Sequence, residues 1–248
     1  MDLKRTLARS VKSATRSLGW EVRRRTTCIG EMLPFLERLN GLGFQPTNIL
    51  DVGAHRGDWA REARSIFPKA NFLLIEPQAE FTAHLKQFCA ESPGNRYELA
   101  AAGPTSGEMV LNVWQSHLAG SSLLPLVDSG APREQRRVPI VTIDSLYPTD
   151  GPLPDFVKLD VQGFELEALK GATRLFGNTL CFVMEVALYA TSENRPIVAD
   201  VIEFMDARDY KLFDIPGFLR RPHDGVLGEV DLAFVLRRSS LDRNENWC

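Results

Sequence analysis

Apolar residues fall along this chain in short unbroken runs that end in Gly, Pro or an acid. Asn48-Ile-Leu-Asp-Val-Gly53 is one such run, and Asn71-Phe-Leu-Leu-Ile-Glu76, stopped by Pro77, is another. Asp155-Phe-Val-Lys-Leu-Asp160 and residues 180–186 repeat the pattern. Runs this short and this uniformly apolar predict strands buried on both faces. Between them the period changes to that of a helix. Residues 57–67 end at Pro68, residues 78–90 place Phe81, Leu85 and Phe88 on one side, and 165–173 and 197–207 follow. Residues 96–101 read as a weaker strand, 108–114 and 138–143 as short ones, and 210–214 and 230–236 as the closing pair. Strands alternating with helices predict an α/β fold with an open, mostly parallel sheet and right-handed crossovers.

The two ends of this pattern differ from its middle. Leu3, Leu7, Val11, Ala14 and Leu18 fall within an arc of roughly 80° on a helical wheel, opposite Lys4, Arg5, Arg9, Lys12 and Arg16. That helix packs on the domain with a solvated basic face or lies on an anionic membrane surface, with a partner protein or a transit peptide as further readings. With a second helical stretch at 29–39, it predicts a helical extension over residues 1–45 ahead of one domain at 46–248. Residues 115–137 are rich in Ser, Gly and Pro, and a segment that long without structure predicts a lid or binding loop.

Composition narrows the class. With 248 residues, 44% hydrophobic and 25% charged, the chain has the balance of a globular protein, not of a disordered or fibrous one. Residues 1–25 hold eight Lys and Arg against Asp2 and Glu21, a net of +6 that leaves −9 on the rest. An acidic body argues against nonspecific nucleic-acid binding. No run of about 20 apolar residues predicts a membrane span, and the N-terminus has no apolar signal core. Cys28, Cys89, Cys181 and Cys248 are far apart, as suits free thiols in a reducing compartment. The expected location is cytoplasmic, with peripheral membrane contact through residues 1–25 as the variant.

Open α/β sheets bind ligands at the carboxyl ends of their strands, so the acids that end strands mark the candidate chemistry. Asp51, Glu76, Asp160 and Glu185 should gather at one edge. Asp51-Val-Gly-Ala-His-Arg-Gly57 supplies glycines at 53 and 57 that allow close backbone approach. Glu76 follows Asp51 by 25 residues, the place of an acid that accepts both hydroxyls of a ribose. The glycine trio of a dinucleotide site is absent, and Asp51 would repel a phosphate. A nucleoside with a cationic part fits better, and S-adenosylmethionine (SAM) is such a molecule. The expected cofactor set is Asp51, Gly53, Ala54, His55, Gly57, Glu76, Pro77, Ala101 and Asp160.

Three residues qualify as a general base for an acceptor hydroxyl: Asp160, Glu185 and His117. Each has a plainer reading, as a cofactor ligand, a buried ion-pair partner of Lys158 and an exposed loop histidine respectively. Ser121 and Ser122 are candidates for acceptor binding or for a turn. Asp160 and Glu185 could offer oxygens to Mg²⁺ or Ca²⁺, but no histidine cluster supports a transition metal and no metal is assigned.

The motifs together resemble the FkbM family of SAM-dependent methyltransferases. The resemblance runs over roughly residues 46–237 and rests on Asp51-Val-Gly-Ala, Ile75-Glu-Pro77, Ser121-Ser-Leu123 and Val141-Thr-Ile-Asp-Ser-Leu146. Its specific marker is the block from Lys158 to Ala172, with Met184-Glu185 and Asp231-Leu-Ala-Phe234 in support. It implies a class I methyltransferase fold: a Rossmann-like, seven-stranded sheet whose last strand is antiparallel. It implies O-methylation of a sugar, glycan or secondary-metabolite hydroxyl, with small-molecule or glycan acceptors as partners. N- or carboxyl-methylation and a non-catalytic SAM-binding regulator are the alternatives; an NAD enzyme is disfavoured by the missing glycines. Two positions depart from the family: His55 stands where Asn is usual, and Gln162 where Glu is usual.

Overall fold

The computed structural model describes residues 30–115, 118–124, 134–190 and 194–242. The predicted helix at 3–18, the basic segment 1–25 and His117 lie outside the described residues. The apolar runs form strands at the predicted places: β1 (Asn48–Val52), β2 (Asn71–Ile75), β7 (Phe156–Leu159) and β8 (Cys181–Ala187). Helices α2 (Asp58–Ile66), α3 (Thr82–Ala90), α4 (Glu165–Lys170) and α5 (Val198–Asp206) intervene. With β3 (Arg96–Glu98), β9 (Tyr210–Arg220) and β10 (Leu227–Leu236), they build a seven-stranded sheet in the order β3-β2-β1-β7-β8-β10-β9. Only β10 runs against its neighbours, pairing antiparallel with both β8 and β9. This is the seven-stranded, mostly parallel class I methyltransferase sheet.

Each strand sends alternate residues to opposite faces. Leu50, Val157, Leu159, Phe182 and Met184 face one way and bury against Ala168 and Leu169 of α4 and Val201 and Met205 of α5. Ile49, Phe156, Val183 and Val235 face the other way, under α2, α3 and α1 (Met32–Gly41). Phe35, Leu36 and Leu39 of α1 are fully buried there, so this helix shares its core with the sheet.

Three predicted elements come out differently. The strand expected at 96–101 splits, because its ladder with β2 ends where the Glu76 N–H reaches the Glu98 carbonyl, and Pro77 has no N–H to extend it. The chain then re-pairs as β4 (Ala101–Ala102) in a second sheet of order β4-β6-β5, with β5 (Gly107–Val113) and β6 (Glu134–Val141). The segment expected to be a loop over 115–137 is shorter than its composition suggests. β6 already begins at Glu134, opposite Val113, and its polar first half is mostly exposed, which hides the strand period. Finally, β9 and β10 extend well beyond the expected 210–214 and 230–236. Pro216 is tolerated because β9 is the edge strand. No helix among the described residues is long and apolar enough to cross a membrane.

Candidate cofactor and active site

The carboxyl ends of β1, β2 and β7 meet around a cleft. After β1 the chain turns through Gly53 at φ 80 and His55 at φ 50 into α2. The N–H groups of Gly53 and Ala54 both donate to the Ile75 carbonyl, at 2.9 and 3.0 Å. A Cβ at Gly53 would stand 1.9 Å from the Asp160 carbonyl oxygen, so only glycine lets these strand ends approach so closely. Opposite this turn, the Glu76 carboxylate accepts the N–H of His55 at 2.8 Å and that of Gln78 at 2.9 Å. Glu76 is 3% exposed, and burial pushes its carboxyl up to about 7 against the pull of those two donors. Gly53, His55, Glu76, Ala101, Ser121 and Asp160 all line the cleft, with Pro77 and Gln162 beside them.

Beside the cleft, one face of the sheet carries a row of charge. Asp51 is 0% exposed, and neither carboxylate oxygen has a hydrogen-bond partner. Burial pushes it up to about 6, with Lys158 opposing. Lys158 is its register partner on β7 and donates to Asp160 Oδ2 at 2.9 Å. Burial works against the Lys158 ammonium, but Asp160 and Asp51 more than offset it and hold it charged. Burial also works against the Asp160 carboxylate, yet Lys158 keeps it below the ordinary aspartate range. The Gln162 amide nitrogen donates to Asp160 Oδ1 at 3.0 Å and to Glu185 Oε2 at 2.6 Å. Burial, then the neighbouring Asp160, Glu229 and Asp231, hold Glu185 well above the usual glutamate range, so it keeps its proton at neutral pH.

Most of the expected site is therefore brought together, but in layers. Gly53, His55, Glu76, Pro77, Ala101, Ser121 and Asp160 form the cleft wall. Ala54 packs in the core behind it, Gly57 precedes α2 at φ 76, and Asp51 stands behind Lys158. Glu185 connects to the cleft through Gln162. Ser121 Oγ donates to Gln78 Oε1 at 3.3 Å, whereas Ser122 Oγ donates to the Gln162 carbonyl at 2.8 Å and so braces that residue. Sequence reasoning passed over Gln78 and Glu165. Gln78 is buried and its amide donates to the Leu118 carbonyl at 3.2 Å, tying the second sheet to the cleft. Glu165 accepts the N–H groups of Val161 and Gly163, both at 3.1 Å. The available signals were a polar residue two places after Glu76, and an acid in the first turn of a helix. Among the described residues, no group of three or more His, Cys, Asp and Glu is placed to hold a metal ion.

A family model for the methyltransferase FkbM domain matches residues 51–212. No curated protein matches the chain. Among solved structures, a methyltransferase FkbM from Methylobacillus flagellatus KT is 16% identical with a TM-score of 0.49, covering 75% of this chain and 43% of that one. This chain thus spans less than half the length of that protein. The 1,6-didemethyltoxoflavin-N1-methyltransferase of Burkholderia thailandensis, solved with 1,6-didemethyltoxoflavin and S-adenosylhomocysteine, is 12% identical with a TM-score of 0.45 over 83% of this chain and 79% of that one. The precorrin-6y C5,15-methyltransferase of Geobacter metallireducens GS-15 is 12% identical with a TM-score of 0.44, over 80% and 84%.

Proposed function

Because this chain belongs to the FkbM methyltransferase family, whose domain model matches residues 51–212, we propose that it methylates a hydroxyl of a sugar, glycan or secondary metabolite with SAM as cofactor. The observation that carries the reading is Glu76, whose carboxylate is fixed by two backbone N–H groups in the wall of the cleft beside Gly53. A buried acid held this way can accept both hydroxyls of a ribose. A further feature fits: the glycine at position 53 lets the end of β1 close against Asp160, which lines the cleft.

When bound, SAM supplies a methyl group already activated on a sulfonium. The protein's part is to orient the acceptor and to move a proton. Orientation is the larger contribution, up to about 7–11 kcal/mol in well-ordered systems. Asp160 is charged, lines the cleft, and has both oxygens fixed by Lys158 and Gln162. It takes the proton that the acceptor hydroxyl sheds as its oxygen gains the methyl. Glu185 already holds a proton at neutral pH, so of the two carboxylates Asp160 serves as base.

Calorimetric titration tests the cofactor arm. Glu76→Ala removes charge-assisted hydrogen bonds of about 1.5–3 kcal/mol, so SAM affinity should fall about 10- to 150-fold. Equal affinity in the variant would refute the ribose role. Methyl-labelled SAM offered with hydroxyl, amine and carboxylate acceptors tests the second arm. Label appearing only on amines or carboxylates would replace O-methylation by one of the other two chemistries, and no transfer to any acceptor would favour a SAM-binding regulator.

A further inference from the structure

Gln162 lies at φ 54, in the left-handed region that a glutamine adopts only under constraint. The constraint is visible on both sides. The flanking N–H groups of Val161 and Gly163 are tied to Glu165 Oε1, and the Gln162 carbonyl accepts the Ser122 hydroxyl. The turn after β7 is thereby pinned at three points, and it aims one side chain at two carboxylates. Register brings those carboxylates together: Leu159 pairs with Met184, so positions 160 and 185 come next across the β7–β8 ladder. Two charged carboxylates there would repel. Asp51 from β1 and Glu229 and Asp231 from β10 add to the negative field. The cations nearby are committed, Lys158 to Asp160 and Arg195 to Glu229. Between the pair lie a direct hydrogen bond from the Glu185 carboxyl to Asp160 and the neutral amide of Gln162, whose two N–H bonds serve both.

We propose that Gln162 is the positioning residue of the methyl-transfer site: by donating to Asp160 and Glu185 together, it holds the two carboxyl groups as one unit. The use of this unit rests on the methyl-transfer reading; the pairing itself does not. Lys158 fixes one oxygen of Asp160 and Gln162 the other, so the base is held in one orientation while each oxygen keeps a lone pair for the acceptor. A carboxylate at position 162 would have to be protonated to donate to either neighbour.

The direct test is a pH titration of the side-chain carboxyl ¹³C resonances of Asp160 and Glu185 in the full chain, with neither cofactor nor acceptor present. Gln162→Gly removes the amide and relaxes the left-handed backbone, so the fold should survive. The pair should then titrate higher by about one pH unit, the size of one lost hydrogen bond to a charged group. The acid limb of the methyl-transfer pH profile should move up with it. In a Glu185→Gln background the new amide can donate to Asp160 itself, and Gln162→Gly should shift Asp160 much less. An unchanged titration in Gln162→Gly, or an equal shift in both backgrounds, would overturn the pairing. If Gln162→Gly fails to fold, Gln162→Met, which removes the amide without adding a charge, decides by the same titration: an upward shift supports the bridge and none overturns it. A shifted titration in a protein that transfers no methyl would sink the methyl-transfer reading and leave the pair standing.

Discussion

The two faces of the central sheet are made by the same strands and both bury apolar side chains, but only one of them carries a row of charge at its carboxyl end. On β1, β7, β8 and β10 the residues facing α4 and α5 are Leu50, Val52, Val157, Leu159, Phe182, Met184, Leu232 and Phe234, all apolar and buried. Their neighbours one position along, facing α1 and α2, include Asp51, Lys158, Glu185 and Asp231. A strand places adjacent residues on opposite faces, so one run of sequence can build a dry wall and a charged row at once. The dry wall yields stability by burying apolar area. The charged row costs stability, since each buried charge needs a partner, and so it is where chemistry should be sought.

The strongest break of this comparison is on the dry face. Phe182 is fully buried, with its ring 5.1 Å from Tyr210. Phe182→Ala should lower unfolding free energy by about 3–5 kcal/mol through lost burial and the cavity left behind. Urea denaturation measures the loss, and SAM affinity of the folded protein should stay as in wild type. A large loss of affinity with little loss of stability would mean that the faces are not divided as described.

On the charged face the signs reverse. Asp51→Asn keeps the shape and removes a buried charge whose oxygens have no hydrogen-bond partner. Thermal unfolding at pH 8 should show it at least as stable as wild type. Its SAM affinity should fall by less than about tenfold, since Asp51 reaches the cleft only through Lys158 and Asp160. A variant as unstable as Phe182→Ala would make Asp51 a structural residue.

This division explains what was legible beforehand. The parallel strands were readable because burial on both faces leaves continuous apolar runs, and the acids that interrupt or end those runs stood out against them. Asp51, Glu76, Asp160 and Glu185 were found that way. Glu134, Gln135 and Arg136 were not readable as strand, because exposure on an outer ribbon removes the alternation. Ser122 was seen as a candidate acceptor contact, but its partner is a backbone carbonyl 40 positions away, which only the fold reveals. Glu165 holds two backbone N–H groups, and Gln78 reaches a backbone carbonyl and Ser121; position along the chain marks both residues, but only the fold shows these contacts.

The most general expected effect is the pH dependence that these buried carboxyls impose together. Burial raises Asp51 and Asp231 from 3.8 to about 6, raises Glu76 and Glu165 from 4.5 to about 7, and lifts Glu185 further still. In each case the folded protein binds its proton more tightly than the unfolded chain. Between the ordinary carboxylate range and these raised values, the native state therefore holds more protons, and stability must fall as pH rises. The stabilising contribution is fully present below about pH 4 and is lost as pH climbs through 6 and 7. Asp160 opposes this at the acid end, since its carboxyl lies below the ordinary value and its contribution disappears on acidification. The midpoint of thermal unfolding should accordingly be highest near about pH 5 and decline toward pH 8. Asp51→Asn should flatten the decline by one proton's worth, whereas a dry-face change such as Phe182→Leu should lower the whole curve without altering its slope. A curve that rises from pH 5 to 8 would show that these carboxyls are ionised in the native state at little cost, and the contrast between the two faces would lose its energetic basis.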